Sequence, residues 1–311
     1  MINLSILREF DFGSAEYAEL LAESSATAFQ HPDWLEPFYR ILAPAHAVEA
    51  HILVGRDRSS RQLQIVLPMI TVGASVEYAF LSVTDYACPI MRQGVSNGGW
   101  AAAKEIRAAL GGRTPVIGPV RLEHVAEWRT LLGVDPRILP FKAHAMPVGP
   151  YGTPHFSGRR RNGLARKARQ LGPLRLELVG GAAIGAAFAE AQTFRRGRFK
   201  DDPLQTVHGL AFYSEVAARG HLSGVSRTFR LSHEGRTVAV LFGLVGGSSF
   251  CYIILACNYE HYADFSPGLL IFQRVIEQWA QEGGAIFDFT IGDEPYKREL
   301  GCASTQMFQF A

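Results

Sequence analysis

The segment that most constrains the fold is a strand–helix–strand pattern near the C-terminus. Two apolar runs, FCYIILA (250–256) and AIFDFT (285–290), are rich in β-branched and aromatic residues, which is typical of buried strands. Between them, apolar residues recur at helical spacing after a Ser-Pro-Gly start at Ser266 and before a Gly-Gly stop at Gly283. A crossover helix joins parallel strands, so the pattern predicts a helix N-terminus near the strand ends. Such a terminus favours an anionic group.

Both halves of the chain show the same alternation of strands and helices. In the second half we expect a strand at 174–179, helices at 182–199 and 206–219, strands at 225–231, 237–245 and 250–256, the crossover helix, a strand at 285–290, a helix at 295–300 and a strand at 306–310. In the first half we expect an initial strand, helices at 14–25 and 33–42, strands at 47–56, 62–72 and 75–83, and then a helix at 99–110, a strand at 114–118, a helix at 123–133 and a strand at 141–148. The repeated order predicts an α/β (α+β) fold of two tandem units, each a mixed, mostly antiparallel sheet flanked by helices.

A Pro- and Gly-rich segment, MPVGPYGTP, ends at Pro154 and separates the two patterned halves. It predicts domains at 1–150 and 151–311. The uncharged stretch 237–258 is about long enough to span a bilayer, but the GGSS at its centre favours a hairpin of two buried strands. The N-terminus has no signal-peptide pattern, so we expect a cytoplasmic protein without a transmembrane segment.

Several classes of site lack their sequence patterns. The four cysteines form no CxxC pair and the histidines show no metal-ligand spacing, so we expect no metal. GxSxG, GxxxxGK[ST] and GxGxxG motifs are absent, which argues against hydrolase, nucleotidase and dehydrogenase functions. No serine or cysteine nucleophile with an adjacent base is evident in the sequence.

The positive charge is local. A run at 159–169 contains six cations and no acid, namely Arg159, Arg160, Arg161, Arg166, Lys167 and Arg169, although the formal net charge of the whole chain is only +2. A second cluster consists of Arg195, Arg196, Arg198 and Lys200. These residues are suited to phosphates of a cofactor, tRNA or anionic lipid headgroups, the last as a peripheral membrane contact, or they form a solvated helix face. The first run has no aromatic residue for stacking on single-stranded nucleic acid.

Five segments together resemble a known family: FQHPDWLEPFYR (29–40), DYACP (85–89), RRRNGLARKARQLG (159–172), SPGLL (266–270) and FDFTIGDEPYKRELG (287–301). The chain is similar to the CelD/BioF2-like acetyltransferases of the GNAT superfamily, and the two-unit arrangement resembles the FemABX-like double-GNAT peptidyltransferases. The resemblance implies transfer of an acyl group from acyl-CoA, acetyl-CoA or longer, to an amine. The ordinary GNAT pyrophosphate signature, Gln/Arg-x-x-Gly-x-Gly/Ala, is replaced by HYADFSPG at 261–268. FemABX-like enzymes, which use aminoacyl-tRNA, lack it too.

The resemblance also implies roles for individual residues. The donor pyrophosphate is expected at Ser266, Pro267, Gly268 and Leu269, with Arg160 and Arg166 as further donor-binding residues. Lys297 aligns with a lysine that is tied to catalysis in FemABX-like proteins, and Tyr296 is a candidate acid for the leaving thiolate. Other candidates for catalysis are Glu294, Asp85 and His31, and candidates for acceptor binding are Tyr86, Asp288 and Asp293.

Each of these assignments has a structural alternative. Ser-Pro-Gly is also an ordinary helix start, His31-Pro an ordinary cap, and DYACP an ordinary turn. Asp293 and Glu294 also suit a helix N-terminus. We therefore expect direct attack by an amine acceptor, small or lipid-like, in a cleft between a first, acceptor-side unit and a second, acyl-CoA-side unit. The alternatives are an aminoacyl-tRNA-dependent transferase, for which nucleic acid is a partner, and a non-catalytic GNAT scaffold in polysaccharide or lipid synthesis.

Overall fold

The computed structural model describes residues 2–95, 102–149 and 158–311, apart from the side chains of residues 158–160. The chain divides into two compact units, one of Met1–Lys142 with Thr305–Ala311 and one of Ala143–Ser304. Both units combine sheets with flanking helices, as the order of elements predicts. The division into domains at 1–150 and 151–311 remains a prediction.

The first unit contains two small sheets and five α-helices in its described part. Its elements are β1 (Ile2–Leu7), α1 (Ala15–Glu23), α2 (Pro32–Pro37), α3 (Ala43–Ala45), β2 (Glu49–Ala50), β3 (Ile52–Asp57), β4 (Leu63–Leu67), β5 (Met69–Val72), β6 (Ser75–Tyr78), β7 (Ile90–Met91), α4 (Ala102–Ala109), β8 (Ile117–Arg121), α5 (Val125–Leu132) and the start of β9 (Arg137–Pro147). The sheet orders are β1-β3-β4-β7 and β2-β5-β6, and the last strand of the chain pairs with β8.

The second unit carries a larger sheet. Its elements are α6 (Gly158–Leu171), β10 (Arg175–Val179), α7 (Ala183–Arg195), α8 (Val207–Ser223), β11 (Ser226–His233), β12 (Arg236–Gly246), β13 (Ser249–Cys257), α9 (Tyr259–Tyr262), α10 (Pro267–Gln281), β14 (Ile286–Ile291), α11 (Pro295–Glu299) and the start of β15 (Ala303–Phe310). The strand order is β10-β11-β12-β13-β14, and residues 143–147 of β9 pair with the free edge of β14.

The meander in the second unit forms because its turns supply left-handed backbone. Glu234 and Gly235, between β11 and β12, have φ of 48° and 78°, and Gly247, between β12 and β13, has φ of 56°. Antiparallel pairing of β12 with β13 confirms that the uncharged stretch 237–258 is a hairpin. In the described part of the chain, no helix is both long and apolar enough to cross a bilayer.

Helices cover both faces of the second sheet. Phe272 and Ile276 of α10 are fully buried in one cluster with Leu241 of β12. The next residue along β12, Phe242, points to the opposite face, since side chains alternate along a strand. There its ring meets Phe188 of α7 at a centroid distance of 5.4 Å. The sheet is thus buried on both sides, which explains the nearly continuous apolar sequence of its central strands.

Candidate active site

The parallel strands β13 and β14 of the second unit pair only briefly. Their register covers Ser249–Cys251 against Ile286–Asp288 and then stops, although both strands continue. Beyond the paired part, Thr290 adopts φ of 55°, a left-handed conformation that is unfavourable for a β-branched residue. The Asp288 carboxylate accepts a hydrogen bond from the Thr290 N–H at 2.7 Å and stabilises this conformation. The backbone pairing of the two strands therefore ends here, and the strands diverge.

A bulge in the neighbouring strand accompanies the divergence. The register of β12 against β13 shifts between Phe242 and Gly243. A Cβ atom at Gly243 would lie 2.5 Å from the carbonyl oxygen of Cys251, so the close approach of the two backbones requires glycine.

Helix α10 begins beside the diverging end of β13. Ser266 is its N-cap residue, as expected, but with φ of 56° and without a capping hydrogen bond to its side chain. Its carbonyl instead accepts the N–H of Leu269 at 3.0 Å, and Pro267 has no N–H. Gly268 lies close to the strand: a Cβ there would be 3.1 Å from Leu255. Close packing and a positive helix end thus meet at this point.

The serine hydroxyl is engaged by the basic run. Lys167, on α6, donates a hydrogen bond from Nζ to Ser266 Oγ at 2.8 Å. Helix α6 packs against α10, which places Lys167 beside the helix start. Arg166 is exposed on the same helix, whereas the side chain of Arg160 lies outside the described residues. At least one cation of the run therefore reaches the predicted anion site.

Lys297 is a buried cation on α11. Only 1% of its side chain is exposed, and Nζ donates to the carbonyls of Ile291 at 2.8 Å and Gly292 at 3.1 Å. Its third neighbour is the carboxylate of Glu294 at 2.9 Å, whose side chain is half exposed. The ammonium group thus fixes the loop between β14 and α11, and its predicted catalytic role would be exerted from within this loop.

The side chain of Tyr296 contacts both α10 and β13. Its ring stacks on Phe272 at 5.7 Å, and its hydroxyl interacts with that of Tyr252. Burial, followed by the neighbouring Tyr252 and Glu294, raises the pKa of Tyr296 far above that of free tyrosine. The phenol therefore stays protonated, which suits a hydrogen-bond donor to a departing thiolate.

The two candidate aspartates have different surroundings. Asp288 is buried and bonded to the backbone of Thr290. Asp293 is 45% exposed and accepts a hydrogen bond at Oδ1 from Nε2 of the buried His144, 3.1 Å away. Nδ1 of the same imidazole lies 3.2 Å from the hydroxyl of Ser304.

The first unit brings its two predicted segments together. The Gln30 side chain donates to the Tyr86 carbonyl at 2.9 Å, and the Trp34 indole donates to Thr84 at 3.2 Å. His31 is the N-cap of α2, its Nδ1 accepting the Asp33 N–H at 3.2 Å, so the cap considered from the sequence is confirmed.

The candidates next to these contacts differ in accessibility. The ring of Tyr86 is buried against Phe29 at 5.6 Å and under the guanidinium of Arg121 at 4.8 Å. Asp85 is only partly buried. The acceptor roles of His31, Asp85 and Tyr86 remain predictions, and the burial of the Tyr86 ring makes Asp85 the more accessible of the two adjacent residues.

The second basic cluster divides into a structural and an exposed part. Arg195 makes a bidentate pair with buried Asp202, at 2.8 and 3.0 Å, and donates to the Leu255 carbonyl at 2.9 Å. Arg196 and Arg198 line an open groove of about 920 Å³, where Arg198 stacks on Tyr259 at 4.0 Å. Arg195 is therefore a tie between α7 and β13 rather than a free anion-binding residue.

Sequence reasoning missed several of these contacts. The Lys167–Ser266, His144–Asp293 and His144–Ser304 bonds join residues 99, 149 and 160 positions apart. No local motif marks such pairs, and His144 alternates in a strand like any buried residue.

Among the described residues, no group of three or more His, Cys, Asp or Glu side chains is arranged to hold a metal ion.

Comparison with known proteins agrees with this geometry. Residues 158–298 match the family model described as an acetyltransferase (GNAT) domain. This part of the chain is therefore similar to a GNAT domain, which confirms the superfamily resemblance. A comparison with curated proteins gives no significant match.

Solved structures extend the likeness to the whole chain. FemX is 13% identical with a TM-score of 0.66, over 97% of this chain and 96% of that one. A conserved protein of unknown function from Bacteroides thetaiotaomicron is 10% identical with a TM-score of 0.63, over 99% and 100%. L-PGS from Bacillus licheniformis is 13% identical with a TM-score of 0.63, over 94% and 89%. The chain thus has the fold of FemX, as the expected double-GNAT architecture requires.

Proposed function

We propose that this protein is an N-acyltransferase that moves an acyl group from acyl-CoA to an amine acceptor. The observation that carries the proposal is the meeting of Lys167, Ser266 and the start of α10 beside diverging strands within a GNAT domain. The positive helix end and the ammonium group of Lys167 together suit the two phosphates of a CoA pyrophosphate. Arg166 is positioned on the same helix α6 to add positive charge.

The proposed reaction uses residues at and just before α11. The amine attacks the thioester carbonyl directly, a C–N bond forms, and the C–S bond breaks. The protonated phenol of Tyr296 turns its single O–H from Tyr252 to the departing thiolate and donates a hydrogen bond to it. Lys297 and Glu294 hold the loop that precedes α11, and Tyr296 lies at the start of this helix, so their contribution is to orient this phenol.

A thermal-shift screen tests the donor. The ligands are CoA, acyl-CoA thioesters of several chain lengths, and charged tRNA. A ligand at 100 times its Kd adds about 2.7 kcal/mol to the stability of the folded state, which is a readily measured shift of the melting midpoint. Stabilisation by one acyl-CoA would define donor and chain length together, and no shift with any acyl-CoA contradicts the proposal.

A pair of variants locates the binding site. Lys167→Met removes the ammonium next to Ser266, and loss of a charged hydrogen-bond donor weakens CoA binding by roughly tenfold or more. Lys104→Met is the matched control, since Lys104 is exposed in the first unit. Equal CoA affinity in both variants would exclude the assigned pyrophosphate site.

The aminoacyl-tRNA-dependent alternative is favoured by a separate observation. Helix α6 carries its cations without an acidic residue, and a polyanion binds such a helix through counterion release. This alternative predicts stabilisation by charged tRNA with a steep dependence on salt, and no stabilisation by CoA. The same screen therefore separates the two donors.

A further inference from the structure

A serine, a histidine and an aspartate form a continuous hydrogen-bond chain in the second unit. Ser304 is exposed at the start of β15, His144 is 1% exposed in β9, and Asp293 is half exposed ahead of α11. The Ser304 Oγ–His144 Nδ1 distance is 3.2 Å and the His144 Nε2–Asp293 Oδ1 distance is 3.1 Å. The Ser304 end of this hydrogen-bond chain is therefore exposed to solvent.

Backbone hydrogen bonds place these three residues beside the candidate active site. Ala143 is in register with Ile291, so His144 lies next to the end of β14. The Cys302 N–H donates to the Lys297 carbonyl at 3.2 Å, which fixes the segment leading to Ser304 against α11. The chain thus borders the loop that positions Tyr296.

The chemistry of the three groups determines which atom donates and which accepts in each of the two hydrogen bonds. An ionised carboxylate only accepts hydrogen bonds, so His144 Nε2 must carry a proton to bond to Asp293. In the neutral imidazole, Nδ1 is then an acceptor and the Ser304 hydroxyl donates to it. This is the arrangement by which a histidine held by a carboxylate activates a serine.

We propose that Ser304 accepts the proton of the attacking amine and passes its own proton to His144, which Asp293 orients. The proposal rests on the acyl transfer proposed above and adds the base for that reaction. As the C–N bond forms, the amine proton moves to Ser304 Oγ while the serine proton moves to His144 Nδ1. The imidazolium is stabilised by Asp293, and its proton returns through Ser304 to the thiolate released when the C–S bond breaks. Ser304 contacts the substrate, whereas His144 and Asp293 are positioning residues.

Reactivity of Ser304 toward a fluorophosphonate tests the chain without any donor or acceptor. In that reaction an Oγ–P bond forms, the P–F bond breaks, fluoride leaves and the serine proton passes to His144. We expect one label, mapped to Ser304 by peptide mass spectrometry. His144→Ala should slow labelling by roughly 100-fold, and added imidazole should restore part of the rate.

Matched variants separate activation from folding. Asp293→Asn retains the size of a half-exposed side chain and should slow labelling with an unchanged melting midpoint, while Ser75→Ala, an exposed serine of β6, should label as the wild type does. If His144 has only a structural role, Ser304 should react with the fluorophosphonate no faster than Ser75. That result would overturn the proposal.

A second measurement connects the chain to acyl transfer. Release of free thiol from acetyl-CoA is followed with water or ethanolamine as the acceptor, in wild type, Ser304→Ala and Ser304→Thr. We expect a large loss in Ser304→Ala and substantial retention in Ser304→Thr, which keeps a hydroxyl group. Equal rates in wild type and Ser304→Ala overturn the catalytic role. Absence of thiol release in the wild type, with Ser304 still labelled, counts against the transferase function instead.

Discussion

Replacing Lys297 by methionine tests whether the loop after β14 depends on a buried cation. Methionine fills most of the space of the lysine stem but has no ammonium group. The change removes donors from the carbonyls of Ile291 and Gly292, at 2.8 and 3.1 Å, in a side chain that is 1% exposed. A hydrogen bond from a charged donor contributes about 1.5–3 kcal/mol.

The expected net loss is smaller than the sum of these bonds. Removing the ammonium also removes the cost of burying it, and the pair with half-exposed Glu294 contributes little because water screens it. We therefore expect Lys297→Met to lower the free energy of unfolding by about 3 kcal/mol. Asp293, on this loop, and Tyr296, at the start of α11, should lose their positions at the same time.

Urea denaturation followed by tryptophan fluorescence measures this loss. Trp279 is buried in α10 and reports on the second unit. Arg298→Met is the matched control, because Arg298 is exposed on the same short helix. If Lys297→Met and Arg298→Met unfold at the same urea concentration with the same slope, the loop does not depend on the buried ammonium and our reasoning is refuted.

Three further perturbations probe the same unit. Asp202→Asn removes the buried carboxylate that pairs with the partly buried Arg195 guanidinium and should cost about 3 kcal/mol, so an unchanged urea midpoint contradicts a structural role for the pair. Gly243→Ala should cost about 1–3 kcal/mol because the new methyl group meets backbone, and a stabilised variant would show that the bulge relaxes freely. Burial raises the pKa of Cys257 and Cys302 to about 12, so both thiols are protonated near neutral pH; Ellman's reagent should label them rapidly only after unfolding, and fast native labelling contradicts this.

The sequence predicted the elements of the second unit well because local forces determine them. Glu234-Gly235 and Gly247 adopt the left-handed angles that hairpin turns need, and the apolar spacing of α10 places Phe272 and Ile276 in the core. These signals lie within a few residues of the structure they specify. For the same reason the helix–strand order was sufficient to predict sheets flanked by helices in both halves.

The site was less predictable because its contacts join distant segments. Ser266 was expected to cap α10 as serines usually do, yet its hydroxyl accepts a hydrogen bond from Lys167, on another helix. A side-chain oxygen can satisfy only nearby partners, and which partner is near depends on the packing of α6 against α10. His144 and Ser304 likewise come together only when β9 lies beside β14.

The start of α10 differs electrically from a glycine-rich phosphate loop. Pro267 has no N–H and the Leu269 N–H bonds to Ser266, so the first turn has fewer free amides than a nest of glycines would offer. The charge of Lys167 must then supply more of the attraction for a diphosphate. Because the Debye length falls from about 10 Å at 0.1 M salt to about 3 Å at 1 M, CoA binding should weaken markedly with salt.

The same comparison in Lys167→Met identifies the source of this salt dependence. The variant should bind CoA weakly at both salt concentrations and show a smaller salt dependence than the wild type, since the screened charge is absent. Isothermal titration of both proteins with CoA at low and high salt gives the four affinities needed. If the wild type and the variant lose affinity with salt in equal proportion, the attraction comes from the backbone dipoles or from other cations of α6, and Lys167 only holds Ser266 in place.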